Sequence, residues 1–350
     1  MALPSYLAST RQRLGPLAPA FRAAAAVSAC VVTGQLAGRT GVGLVMAVAA
    51  RRVVIADPGG EPASRAANMA IALVAGSLAG FAGTLAGHSL ALSTLGMFAL
   101  GWVAGVARSR SEAAGRLAAS PAVLFALAQI LPGDIRIAAE RALAVGIGGA
   151  VGEVLVLGAY PRGWYGLTAR RARTGIRFLW GAMLSPGADV RFGFVLAATV
   201  SACLLVVRAL ELPRGYWVVV SVLVVLRPEA AVTRRRGLER VAGTLSGCFL
   251  AVGLVYLVRS PLAADLLIFV LMVGFFRFLP VAYGWSLAFF TPAVVLGISL
   301  LEPGNWHWAA NRAVDVAAGT VVALGAGFLL GSRRAPPPSS VVYGLVPVHA

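Results

Sequence analysis

The chain has 350 residues, of which 59% are hydrophobic and only 12% charged. Its mean hydropathy is +0.84. A soluble domain is about half apolar and about a quarter charged, so the balance points to a protein built for lipid. The formal net charge is +17, and all 30 basic residues are arginine. They sit in short gaps between apolar runs, a loop signature of membrane proteins rather than a nucleic-acid surface; no nucleic-acid partner is expected.

A bilayer crossing takes about 20 apolar residues as a helix. Apolar runs fall near 18–37, 41–55, 66–87, 88–107, 118–131 and 138–158, then near 192–212, 215–226, 238–258, 262–279, 282–301 and 309–331. The predicted fold is all-α: a polytopic transmembrane helical bundle of two tandem six-helix halves with about twelve spans, some short or broken. The run Tyr216–Leu226 reaches only about 17 Å as a helix, and 118–131 is also short. Such runs are half-helices covered by protein or a watery cavity, or short helices at a thinned rim.

The halves echo one another. "VSAC" stands at Val27–Cys30 and at Val200–Cys203, and "ERALAVGIGG" (Glu140–Gly149) aligns with "NRAVDVAAGT" (Asn311–Thr320), Arg141 on Arg312 and Gly148 on Gly319. Asp57–Ala66 aligns with Arg227–Arg236, each a proline followed by arginine. All offsets lie between 170 and 173 residues. The expected organisation is a cytoplasmic tail over 1–17, a first membrane half over 18–160, a cytoplasmic linker over 161–190, a second half over 191–331 and a disordered tail over 332–350. With the N-terminus inside, 23 arginines fall on the cytoplasmic side and seven on the other. The expected location is therefore the cytoplasmic membrane, multi-pass, with both termini inside and the repeats parallel. No cleavable signal peptide is evident.

The stretch Arg214–Gly247 crosses from one apolar run through Pro228 and an arginine cluster into a glycine-bearing helix. Thr233 is expected to cap that helix. Arginines in a first helical turn oppose the macrodipole; the positive-inside bias, lipid phosphate or an anionic ligand must favour them. Gly243-x-x-x-Gly247, Gly76-x-x-x-Gly80, Gly83-x-x-x-Gly87 and Gly101-x-x-x-Gly105 are read as close helix packing.

Within Gly215–Gly247 stand Gly215-Tyr216-Trp217, Arg227-Pro228, then Thr233, Arg235, Arg236, Arg240, Gly243, Thr244 and Gly247, and Arg312, Asp315 and Gly319 follow later. This motif resembles the signature of the fusaric acid resistance protein-like family, membrane proteins related to the aromatic acid exporters; the later element is similar too, with Val316 where the family usually has Thr. The resemblance covers the second half well and the first as a degenerate echo. It implies a duplicated six-helix transport domain that exports aromatic or other organic acid anions. Many members carry a large soluble domain after each half, and the linker here is too short for one.

For an organic anion, Arg236 and Arg240 share a helix face and are read as attractors at the inner mouth. Arg227, Tyr216 and Trp217 join them as binding or gating candidates. Intramembrane ionisable groups are costly and default to function, which singles out Glu153, Arg312 and Asp315 for charge pairing or proton coupling. Asp315 alternatively forms a structural pair with Arg312, and Glu153 alternatively partners an interior arginine. His88, His307 and His349 are isolated, and Cys30, Cys203 and Cys248 fall in apolar runs, so no metal, cofactor or disulfide is expected. No nucleophile or phosphate-loop motif is present, and no enzyme activity is expected. The partners expected are the lipid bilayer and a small organic anion, with homo-oligomerisation left open. A passive anion channel or a non-transporting scaffold are the rival readings.

Overall fold

A computed structural model describes residues 17–60, 62–158, 189–212, 215–258, 260–302, 304, 305 and 307–330. The expected tails and linker lie outside them, apart from Leu17, Asp189 and Val190. The described residues form twelve helices: α1 (Leu17–Leu36), α2 (Thr40–Ile55), α3 (Pro62–Ala86), α4 (Leu90–Arg110), α5 (Glu112–Ala128), α6 (Ile135–Leu157), α7 (Val190–Ala209), α8 (Tyr216–Val225), α9 (Ala230–Leu257), α10 (Pro261–Phe278), α11 (Tyr283–Ser299) and α12 (His307–Leu329). Each apolar run becomes one helix. Seven (α1, α3, α4, α7, α9, α10 and α12) are long and apolar enough to cross a bilayer. The chain is a polytopic transmembrane bundle.

Several starts are set by local chemistry. Ser89, Ser111, Asp134 and Asp189 precede α4, α5, α6 and α7, and each side chain accepts a hydrogen bond from a backbone N–H three residues on. That satisfies one of the donors a helix leaves orphaned. Gly38, at φ 65°, ends α1 in the left-handed region and lets α2 start two residues later.

Three boundaries differ from the sequence reading. Helix α5 begins at Glu112 rather than near 118, so its 17 residues are longer than the run suggested. Helix α9 begins at Ala230, ahead of the apolar run near 238 and one turn before the start that a Thr233 cap implied, with Arg234–Arg236 on the helix as expected. Thr233 is not its cap: the N-cap is Glu229, with no side-chain bond. Thr233 sits one turn in, and its hydroxyl accepts from the Arg227 N–H at 2.9 Å and donates to the Arg227 carbonyl at 3.1 Å. A single hydroxyl thus closes the turn around Pro228.

The packing order repeats. In the first half neighbours run α1–α2–α6–α3–α5–α4; in the second, α7–α8–α12–α9–α11–α10. The halves join through α4 on α7 and α10 on α1. The circuit is closed and maps onto itself when the halves are exchanged, as a pseudo-two-fold requires. Equivalent glycines make equivalent approaches. A methyl on Gly148 of α6 would strike the Met46 backbone of α2, and one on Gly319 of α12 would strike the Val218 backbone of α8. Pro121 and Pro292 lie inside α5 and α11 at an offset of 171.

Helix α8 has 10 residues, about 15 Å, and eight of them are buried. It is a short helix enclosed by α7, α12, α5 and α9, which settles the short run in favour of protein cover. Ending early leaves carbonyls without partners. Arg108 of α4, in the other half, supplies them: its Nη1 donates to Leu223 O at 2.6 Å and Leu226 O at 3.3 Å.

The glycine motifs separate by contact. Gly243 and Gly247 seat α9 against α11, where a Cβ would meet the Gly284 carbonyl or come within 2.7 Å of Thr291 Cβ. A Cβ on Gly80 would find only Val145 Cγ2 at 3.5 Å, an ordinary contact. Gly243→Ala and Gly247→Ala should each cost about 1–3 kcal/mol through overpacking, while Gly80→Ala should be nearly neutral. Thermal unfolding of the detergent-solubilised variants checks this ranking; equal melting points for all three would contradict it.

Candidate anion-binding site

The short α8 and the arginine-bearing start of α9 bring the second half's cations inward, and α2 and α4 of the first half add theirs. Arg52, Arg108, Arg227, Arg240 and Arg312 are all buried, at 2–7% exposure. Among the described residues the buried acids number one, Glu153. Arg51 joins the group: Arg52, Arg312 and Arg240 lie close enough to act on its charge. Burying an ion costs several kcal/mol unless an opposite charge or hydrogen bonds offset it. An excess of buried guanidinium therefore needs an account.

The arginines form a column with graded partners. At one end Glu112, the first residue of α5, reaches across to the second half. Its Oε1 accepts from Arg227 Nη2 at 3.3 Å and Arg236 Nη2 at 3.1 Å. The Arg236 guanidinium lies 5.0 Å from the centre of the Tyr283 ring. Tyr283 Oη accepts from Arg240 Nη1 at 2.9 Å, and Ser221 Oγ accepts from Arg240 Nε at 3.1 Å. Ser221 donates to the Trp217 carbonyl one turn back on α8. At the far end the Arg312 guanidinium sits 3.9 Å from the centre of the Trp217 ring and 5.2 Å from that of Phe290. Arg51 covers the same Phe290 ring at 4.4 Å. Cation–π contacts give about 0.5–2 kcal/mol each and supply no acceptor for the guanidinium N–H groups.

Arg312 shows the shortfall most clearly. Its Nε and Nη1 are buried without a hydrogen-bond partner. The repeat-related Arg141 behaves oppositely. Its Nη1 donates to the carbonyls of Ala128 and Leu131 and to Thr84 Oγ1, closing the C-terminal end of α5. Nearly the same position is spent on structure in one half and left with free donors in the other. Thr244 adds an unpartnered buried hydroxyl. It lies one turn from both Arg240 and Cys248, and both of those act on the Arg312 charge, so α9 presents Arg240, Thr244 and Cys248 along one stripe.

The structure brings together Trp217, Arg240 and Arg312 from the sequence-read candidates. It places Arg227 and Arg236 at the Glu112 end. Tyr216 packs on Trp217, with ring centres 5.1 Å apart. Gly243 and Gly247 seat α9 beside the column, whereas Gly76 and Gly80 lie on α3 of the first half. Glu153 is buried on α6 and makes no ion pair among the described residues. Asp315 is half-buried on α12. Sequence reasoning did not single out Arg51 and Arg52, at the end of the run 41–55, Arg108 and Glu112, between two runs, or Phe290, hidden in an apolar run. The one available signal was that Arg51 and Arg52 follow directly on an unbroken apolar run.

A polytopic helical membrane protein whose interior is lined by guanidinium groups is the class these features define. Residues 201–326 match the model of the fusaric acid resistance protein-like family; the resemblance read in Gly215–Gly247 holds for the second half. Two curated relatives from Escherichia coli K12 are similar to the chain. The uncharacterized protein YhfK is 29% identical over 131 residues, 37% of this chain and 19% of YhfK. The inner membrane protein YccS is 30% identical over 118 residues, 34% of this chain and 16% of YccS. The matches thus span less than a fifth of either relative. No solved structure matches the chain.

The Arg141–Arg312 contrast is testable without a substrate. Arg141→Met should remove the hydrogen bonds that close the C-terminal end of α5, which are part-buried or exposed, and lower stability by about 0.5–1.5 kcal/mol. Arg312→Met should be neutral or stabilising, because it removes a buried guanidinium with two donors that lack a hydrogen-bond partner. Melting temperatures measured without added anion distinguish the two; a large loss in Arg312→Met would mean its charge is already satisfied.

Proposed function

We propose that the chain is a transporter that exports organic acid anions, aromatic ones among them, across the cytoplasmic membrane. The observation that carries this reading is the buried arginine column with a single carboxylate at one end. A bound carboxylate would occupy the donors of Arg312 and Arg240, and the Trp217 and Phe290 rings offer an apolar wall. The distribution of arginines supports cytoplasmic termini, and in that orientation Arg227, Arg236 and Glu112 stand at the inner mouth. Rocking of the two repeat-related halves about the column is the movement such a fold supports. The family's description, resistance to an organic acid, accords with outward transport. YccS is an inner membrane protein by name, in line with the location proposed here.

The protein reconstituted in liposomes and loaded with benzoate should show saturable flux. Arg240→Ala and Arg312→Ala should each lower it about tenfold to a hundredfold, the loss expected for a charge-assisted hydrogen bond. Non-saturable flux untouched by either substitution would indicate a passive pore. Single cysteines at the exposed Gly60 and Val232 should be labelled from the same, cytoplasmic face; labelling from opposite faces would break the parallel layout.

A further inference from the structure

The Glu112 end of the column holds a feature that binding and transport do not themselves require. Glu112 is the one carboxylate within ion-pair distance of the column arginines among the described residues. It belongs to the first half, and both its partners belong to the second. Its side chain is 46% exposed, against 7% for Arg227 and 30% for Arg236, so the acid sits at the rim and the cations behind it. Arg227 keeps a buried Nε without a partner, a donor that Glu112 does not satisfy. In the repeat, the residue equivalent to Glu112 is Tyr283, likewise the first of its helix, and its oxygen also receives an arginine. Both halves therefore offer an oxygen to the column at the same point of the fold, and only the first half's oxygen carries charge.

An anion entering at this rim meets the same two guanidinium groups that Glu112 holds. A half-exposed carboxylate is screened by solvent, so it is held less firmly than a buried one and can be exchanged for a mobile anion that also reaches the buried Arg227. We propose that Glu112 is a tethered counter-anion: it latches the two halves across the mouth of the column and is displaced from Arg227 and Arg236 by the incoming organic anion. The ligand needs no counter-ion of its own, because Glu112 keeps the mouth paired when empty and returns when the ligand has passed. This role rests on the transport reading for its trigger; the latch itself is a property of the closed bundle.

The test separates the two. Spin labels on cysteines replacing the exposed Arg110 and Arg234 bracket the mouth from either half, and the native cysteines are buried and take no label. Distances are read by double electron–electron resonance on the full-length protein in liposomes. Glu112→Gln should add a longer-distance population that benzoate also induces in the otherwise unmutated protein, while Glu112→Asp, which keeps the charge, should restore the single short one. In benzoate flux, Glu112→Gln should lower KM about threefold to tenfold, the worth of two weak ion pairs, with the maximal rate changed by less than about twofold. An unaltered distance distribution in Glu112→Gln overturns the latch. A longer distance with unaltered KM overturns the displacement by ligand. A longer distance with no benzoate flux in any variant leaves the latch standing and removes the transport reading.

Discussion

Removing a guanidinium from water without giving it an anion is among the most costly things a fold can do, and this bundle does so repeatedly along one line. Lipid around the helices offers no acceptors, so the cost cannot be met from outside. The fold offsets part of it from within. Arg108 is aimed at the free carbonyls at the end of α8, Arg240 at two hydroxyls, and Arg227 and Arg236 at Glu112. Arg51 and Arg312 receive mainly ring faces. The electrostatic deficit grows away from Glu112, which orders the column and gives an anion a direction in which to gain contacts.

Duplication explains how such a line could arise without destroying the fold. The shared parts of the repeat are structural: the circuit of helix neighbours, the glycine approaches of Gly148 and Gly319, the prolines of α5 and α11. The differing parts are chemical. Arg141 closes the end of a helix while Arg312 holds open donors, and Glu112 stands where the second half has Tyr283. A bundle whose packing is secured twice can let one copy of a position drift from scaffold to site. The shortness of α8 serves the same end. Its early stop creates carbonyls that draw Arg108 across the interface, which binds the halves where the column lies.

Much of this was readable in the residues. Twelve runs became twelve helices because apolar length is a property of the chain itself, and the repeat showed in the offsets of 170 to 173 residues. The candidates Trp217, Arg240 and Arg312 did converge. Arg51, Arg52, Arg108 and Glu112 were not legible, because an arginine beside an apolar run looks the same whether it faces lipid headgroups or the interior. Which one occurs depends on the helix packed next to it, from the other half and more than a hundred residues away. The start of α9 was set one turn late for a related reason: Thr233 has the residue type of a cap, but its hydroxyl is taken by the Arg227 turn.

The sequence alone determined that the chain is helical, built for a bilayer and duplicated, since these follow from hydropathy, spacing and internal likeness. Only the tertiary structure decided which arginines are buried together, which of two repeat-related ones is left with unused donors, and that Glu112 meets Arg227 and Arg236. Charge compensation is a matter of distances between side chains remote in the chain, and local sequence carries no record of those distances.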